Sequence, residues 1–395
     1  MRHSTRREAL RLLAAAPLLV HGFGWQSLLL AEPATPALGG SADWSRGIIE
    51  AQMHRTPDPK NMGGWGYAIS LYLYGQYLFY KRTGERRHLE YIQGWIDSHV
   101  NEQGVIDRPI TALDYMLPGN LLLVLYKETG QAKYKAAADS IRHAFDGYPR
   151  TADGGLWHAY SRQHQLWLDG MYMSMPFLVR YGNAFGERKY ACDEAAKQLL
   201  VYAKHLNDPA TGLMFHAYDE SGEQAWADPV THHSAIFWCR AIGWFGMALI
   251  EVLEVMPHTH PQRLALLKQV RQLCAAYERY QDPATGLWYQ VVDKGSDPRN
   301  WLETSSSCMY TYTMSKAAQR GYIAKRYADV VCKGYRGVLT QLSRDAEGYA
   351  HIANICEGTN VGDLEFYYAR PKRQDDFHGL GAFLIMNEQV RTAGC

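Results

Sequence analysis

Seven cysteines stand singly in this 395-residue chain, at positions 192, 239, 274, 308, 332, 356 and 395. An odd number with no close pair predicts no disulfide framework, and the absence of CxxC spacing excludes a cysteine-rich zinc site. HExxH is missing, as is a glycine-rich phosphate loop, so neither a metalloprotease helix nor a nucleotide cradle is present. G-x-S-x-G is missing too, which removes the serine-hydrolase elbow. Charge of one sign is also lacking: 41 Lys and Arg face 40 Asp and Glu, a net charge of +1. Without a basic patch or tail, nucleic acid is excluded as a partner. Past the N-terminal segment no run is apolar and long enough to span a membrane. Long β-branched alternations are absent, so sheets are expected to be small or missing.

Apolar and aromatic residues are plentiful. The chain is 47% hydrophobic and 21% charged, with 27 tyrosines and 11 tryptophans. It can bury a large core, and its aromatics suit sugar-binding surfaces as well as the interior. Ser4-Thr5-Arg6-Arg7 precedes an apolar run from Leu12 to Val20. This has the form of a twin-arginine export signal over residues 1–31, with a soluble N-terminal helix as the plainer alternative. Residues 32–42, rich in Pro and Gly, read as a linker, and 43–395 as one catalytic domain. Removal of 1–31 takes away four arginines and one glutamate and leaves a formal charge of −2. The expected location is the bacterial periplasm, with no membrane contact after export. A protein exported already folded can keep free thiols there.

One phrase recurs along the chain. Asp208-Pro-Ala-Thr-Gly-Leu-Met-Phe-His216 and Asp282-Pro-Ala-Thr-Gly-Leu-Trp-Tyr-Gln290 are close copies, and looser versions begin at Glu102, Ala152 and Asp345. Between them the apolar spacing is helical over 67–82, 121–129, 187–206, 234–255, 261–281, 305–320, 323–342 and 377–393. If the last of these joins a helix near 43–54, five turn phrases separate six helical pairs. Six hairpins closing on themselves give an all-α, six-hairpin toroid, the (α/α)6 barrel, with little or no sheet. An open solenoid would show the same periodicity.

The phase of the repeat locates a candidate site. Polar or aromatic clusters follow each turn phrase at the start of the next apolar helix. These are Asn61 to Trp65, Asp114, Asp169, Trp238 with Arg240 and Trp244, Thr304 to Ser307, and Asp375, Asp376 and His378. In a closed ring these positions share one mouth, where a pocket forms. Asp169 lies between Trp167 and Met171-Tyr172-Met173, and desolvation there is expected to raise its pKa toward that of a general acid. The plainer reading is a helix cap. Asp114 is a second candidate carboxylate, or a loop acid satisfying amides before Pro118. Arg240 offers a planar fork for a carboxylate, or a buried ion pair. His216, just after a turn phrase, projects over the mouth or sits in the core. His232 and His233 diverge and do not form a metal pair.

Together H-Q-x-W-L-D-G-x-Y-M at 164–173, G-L-x-x-H-x-x-D at 212–219 and F-W-x-R-x-x-G-W at 237–244 resemble glycoside hydrolase family 105, the unsaturated rhamnogalacturonyl hydrolases. E-T-S-x-S at 303–307 and D-x-H-G-x-G-A-F at 376–383 add to the resemblance, which runs from about Trp65 to Glu388. It implies an (α/α)6 barrel acting on lyase-generated oligosaccharides that end in a 4-deoxy uronate with a C4–C5 double bond. By resemblance Asp169 is the proton donor and water activator, and Asp114 the carboxylate that holds sugar hydroxyls. Trp65, His158, His164, Trp167, His216, Trp238, Arg240, Trp244, Trp288 and His378 are the expected substrate-binding set. No metal or organic cofactor is implied. Cys239, Ala241 and Ile242 depart from the family pattern and bear on pocket shape, hence on the leaving sugar.

Three other functions fit the same features. An unsaturated glucuronyl hydrolase on glycosaminoglycan- or ulvan-type fragments would share the chemistry. A sugar epimerase would use a histidine pair such as His216 and His378. A non-catalytic carbohydrate-binding barrel would tolerate Asp169→Asn with its affinity intact. The sequence specifies no oligomeric state.

Overall fold

Helical periodicity accounts for most of the molecule. The computed structural model describes residues 43–391 and 394–395; the expected export signal and linker lie outside the described residues. The helices are α1 (Trp44–Arg55), α2 (Tyr67–Thr83), α3 (Arg86–Asp97), α4 (Gly119–Thr129), α5 (Ala132–Ala144), α6 (Asp169–Phe185) and α7 (Arg188–Leu206). There follow α8 (Cys239–Val255), α9 (Arg263–Tyr280), α10 (Thr304–Gln319), α11 (Tyr327–Leu339), the short α12 (Leu364–Tyr368) and α13 (Phe377–Val390). The helix expected from 234 starts only at Cys239. Ser234 and the Phe237–Trp238 pair are drawn into bridges instead, Ser234 N–H to Ala217 O at 2.8 Å and Val292 N–H to Phe237 O at 3.1 Å.

The ring is closed. α2 packs on α4, α4 on α6, α6 on α8, α8 on α10, α10 on α13, and α13 returns to α2. α3, α5, α7, α9 and α11 cover the outer sides of α2, α4, α6, α8 and α10, while α1 covers α13. This is the expected (α/α)6 barrel. The inner helices are apolar all round because they meet neighbours on every side; α8 is buried at every position from Cys239 to Leu253. At the closing seam, a Cβ on Gly381 would sit 2.6 Å from Leu71 Cγ and 2.7 Å from Tyr72 N, so only glycine lets α13 approach α2 this closely.

The two copied phrases form the same turn. Asp208 Oδ2 accepts the Thr211 N–H at 3.1 Å, and Asp282 Oδ1 accepts that of Thr285 at 2.8 Å. Gly212 and Gly286 then take φ of 77° and 80°. Four two-stranded antiparallel sheets pin the loops, in line with the small amount of sheet expected: β1 (Gln165–Trp167) with β2 (Ala217–Asp219), β3 (Trp288–Tyr289) with β4 (Leu302–Glu303), β5 (Leu342–Arg344) with β6 (Ala350–Ile352), and β7 (Ile355–Cys356) with β8 (Lys372–Arg373).

The cysteine reading needs correction. Cys332 on α11 is disulfide-bonded to Cys395, while Cys192, Cys239, Cys274, Cys308 and Cys356 are free and buried. The pair is 63 residues apart, so only the fold brings it together. No helix among the described residues is long and apolar enough to cross a membrane.

Candidate active site

The β1–β2 ladder assembles the centre of the site. Trp167 pairs with Ala217, and Leu168 N–H donates to His216 O at 3.0 Å. Asp169, next in the chain, opens α6. Leu168 occupies the cap position and no side chain caps the helix, so the capping reading of Asp169 fails. The register instead sets His216 Nε2 3.2 Å from Asp169 Oδ2. The Tyr367 hydroxyl lies 2.6 Å from His216 Nδ1, so the other imidazole nitrogen is the one that faces Asp169.

Asp114 reaches the same place from the turn before α4. His158 Nε2 lies 3.8 Å from Asp114 Oδ1, and the His158 ring stacks on Trp167 at 4.7 Å. Trp167 meets His216 edge-on at 5.6 Å. The two carboxylates therefore flank one tryptophan, each faced by its own histidine.

Their proton affinities diverge, and not as the sequence suggested. Burial pushes the Asp169 carboxyl up, but the His216 imidazole 3.2 Å away, with help from His158, brings it below the ordinary aspartate value. The expected rise at Asp169 is thus overturned: an apolar surround counts for less than an adjacent imidazole donor. Asp114 is the raised one, through burial and repulsion from Asp169 that outweigh attraction to His158 and His378.

α13 and α2 close the far side. Asp376 caps α13 and bonds His378 Nδ1, and His378 Nε2 lies 2.7 Å from the Tyr67 hydroxyl. Burial and the charge of Asp114 raise the Tyr67 pKa. Among the described residues no group of three or more His, Cys, Asp or Glu could hold a metal ion.

Residues 44–392 match the family described as Glycosyl Hydrolase Family 88. The chain belongs to this family. It is similar to a family 105 glycoside hydrolase from C. acetobutylicum, at 32% identity and a TM-score of 0.86, covering 89% of this chain and 100% of that one. It is also 26% identical to the unsaturated rhamnogalacturonyl hydrolase YesR of Bacillus subtilis, over 82% of this chain and 89% of YesR. The unsaturated glucuronyl hydrolase of Bacillus sp. GL1 shares the fold, with a TM-score of 0.66 at 13% identity. The protein is an unsaturated uronyl glycoside hydrolase of the family 88/105 type.

In this hydrolase the expected binding residues separate into three groups. His158, Trp167, His216 and His378 join the acids as described. Trp238 and Trp244 are buried behind that group: Trp238 tilts against His216 at 4.6 Å and donates its Nε1–H to Gln290 Oε1 at 3.2 Å, and Trp244 stacks on Tyr172 at 5.1 Å. Trp65 donates to Tyr115 O at 2.9 Å, which anchors the residue after Asp114.

Three residues depart from expectation. Trp288 is core, with its Nε1–H on Tyr277 O at 2.8 Å and its ring against Tyr310. His164 tilts against Trp157 at 4.6 Å and faces Glu220 at 3.4 Å rather than either acid of the pair. Arg240 offers no open fork. It is 1% exposed, bonds Cys356 O, donates to Glu357 O at 2.7 Å and to Ser305 Oγ at 3.4 Å, and lies 3.9 Å from Glu303. A guanidinium with this many local acceptors is a brace for the 356–357 segment. Cys239 and Ala241, the departures from the family pattern, are buried beside it.

Sequence reasoning missed Tyr67 and Tyr367. Tyr67 follows the Asn61 to Trp65 cluster and could have been read from the repeat phase. Tyr367 lies on the five-residue α12, outside the repeat, and carried no signal.

Proposed function

We propose that this hydrolase releases the unsaturated 4-deoxy uronate from the non-reducing end of rhamnogalacturonan disaccharides made by a lyase. The observation that carries the reading is the pair of mouth carboxylates with opposite shifts, Asp169 lowered beside His216 and Asp114 raised. Two titratable groups pushed apart in this way mark a site built for proton transfer. The similarity to YesR favours rhamnogalacturonan over glucuronyl fragments.

In the free enzyme Asp169 is held ionised by His216. A uronate entering beside it adds negative charge and raises its proton affinity, so that Asp169 carries the proton with substrate bound. Asp169 then protonates C4 of the enol ether, and the positive charge that develops at C5 is captured by water. The proton lost by that water returns to Asp169, so one group serves as acid and base. The resulting hemiketal opens and frees the neighbouring sugar. Asp114 accepts hydrogen bonds from sugar hydroxyls, and Trp238 and Trp244 exclude bulk water.

The test is loss of the ultraviolet absorbance of the double bond, with wild type and Asp169→Asn compared on unsaturated rhamnogalacturonan disaccharide. Decay in the wild type that the substitution abolishes supports the reading. Decay only with unsaturated glucuronyl disaccharides moves the substrate to that class. No decay with either sinks hydration and leaves a carbohydrate-binding barrel. We further propose export through the 1–31 segment; recovery of the protein in a periplasmic fraction, lost on replacing Arg6 and Arg7 with lysine, checks it.

A further inference from the structure

A uronate entering a site that already holds two aspartates needs a cation, and Arg240 is committed elsewhere. Two further guanidiniums nearby have partners of their own. Arg370 bonds Glu357 Oε1 at 2.8 Å, and Arg108 donates to Tyr115 OH at 3.1 Å while lying over that ring. Arg162 differs. Its Cζ lies 5.3 Å from the centroid of Trp167, the ring that stands between the two acid–histidine pairs. Its one side-chain hydrogen bond among the described residues is a long one, 3.4 Å from Nη2 to Asn360 Oδ1. The remaining donors of the fork are free.

The backbone fixes where that fork sits. Arg162 N–H donates to Ala159 O at 2.9 Å, and Gln165 N–H to Arg162 O at 3.2 Å, a turn that leads directly into β1. Asn360 belongs to the segment that faces the site from the other side. Cys356 and Glu357 are braced by Arg240, and a Cβ on Gly358 would lie 3.9 Å from His378 Cε1. The Arg162–Asn360 contact therefore bridges the two sides of the mouth, with the cation above Trp167.

We propose that Arg162, stacked on Trp167 and steadied by Asn360, receives the substrate carboxylate and makes the site selective for a free uronate over its ester. The inference rests on the reading that the substrate ends in an unsaturated uronate. A planar fork binds a carboxylate through two parallel hydrogen bonds, which an ester cannot return in full. Stacking on the indole holds the guanidinium in place before substrate arrives.

The test compares unsaturated rhamnogalacturonan disaccharide with its methyl ester, in wild type, Arg162→Gln, Arg162→Lys and Arg108→Gln. Wild type is expected to show a KM about tenfold or more lower for the acid, the share that Arg162 supplies, beside a kcat difference that comes from the uronate charge on Asp169. Arg162→Gln loses that KM preference, its KM for the acid rising by more than its KM for the ester, and Arg162→Lys recovers part of it. A KM preference for the acid retained in Arg162→Gln, or lost instead in Arg108→Gln, overturns the assignment. Calorimetric binding of the same two ligands on an Asp169→Asn background reads the discrimination without turnover. Carboxylate-selective binding that depends on Arg162, without turnover in the wild type, sinks the hydrolase reading and keeps Arg162. Failure to bind either ligand overturns both.

Discussion

His216 Nε2 stands 3.2 Å from Asp169 Oδ2, and among the described residues neither buried atom makes an aligned hydrogen bond, even to the other. A buried donor and acceptor facing only each other are electrostatically strong and poorly satisfied, the state in which a small change of charge moves a proton. The β1–β2 register creates this relationship, and Tyr367 sets its direction by occupying the other imidazole nitrogen.

Asp169→Asn is expected to lower kcat by about 10²–10⁴-fold, the range for losing a general acid–base group. Circular dichroism should stay that of the wild type, since Asp169 caps no helix. Retained turnover of the unsaturated disaccharide would reassign the donor.

His216→Gln removes the group that lowers the Asp169 pKa and leaves burial, which raises it. The limb of the pH–kcat/KM profile governed by Asp169 should therefore move to higher pH. A limb that stays in place, or moves to lower pH, contradicts the pairing.

Asp114→Asn is expected to stabilise the fold at neutral pH while reducing activity. The raised pKa of Asp114 means that the native state holds its proton more tightly than the unfolded chain does. Its contribution to stability is thus present below the ordinary aspartate pKa and is lost as pH rises through the folded value. Asparagine removes that loss, a gain on the order of 1 kcal/mol at pH 7 that vanishes in acid. Urea unfolding at the two pH values checks the sign.

Arg240→Ala should cost about 3–5 kcal/mol, because it leaves buried Glu303 without its cation and frees two braced carbonyls. Arg240→Lys should not restore the loss, since an ammonium cannot hold both carbonyls in the geometry of the fork. A stability close to wild type in urea would return Arg240 to a purely substrate-facing role.

Gly381→Val tests ring closure. The added side chain meets Leu71 and the Tyr72 backbone, and overpacking of this kind costs roughly 1–3 kcal/mol. The measurement is the midpoint of thermal unfolding; an unchanged midpoint would mean that the α2–α13 seam can open freely.

The site was legible where it followed the repeat and illegible where it depended on contacts across it. Asp114, Asp169, His216 and His378 could be expected together because each follows a turn or opens an inner helix, positions that a closed ring gathers at one mouth. Trp288 occupies a similar position in the second copied phrase, yet its indole turns inward to Tyr277 and Tyr310. A repeat gives the position of a residue along its hairpin; the direction of its side chain depends on what the neighbouring hairpin leaves free.

Periodicity and local hydrogen bonding act over a few residues, so most of the helices, the two identical Asp-Pro-Ala-Thr-Gly turns and the number of hairpins could be read from the chain, whereas α3, α5 and α6 lay outside the ranges read. The sequence by itself also carried enough family pattern to name the chemistry. Only the tertiary structure decided that the ring closes through Gly381, that Cys332 meets Cys395, and that Arg240 braces a loop while Arg162 keeps free donors. It also reversed the sign of the Asp169 shift. A pKa in a buried site follows the nearest charge or donor more than the polarity of sequence neighbours, and that donor arrives from a strand elsewhere in the chain.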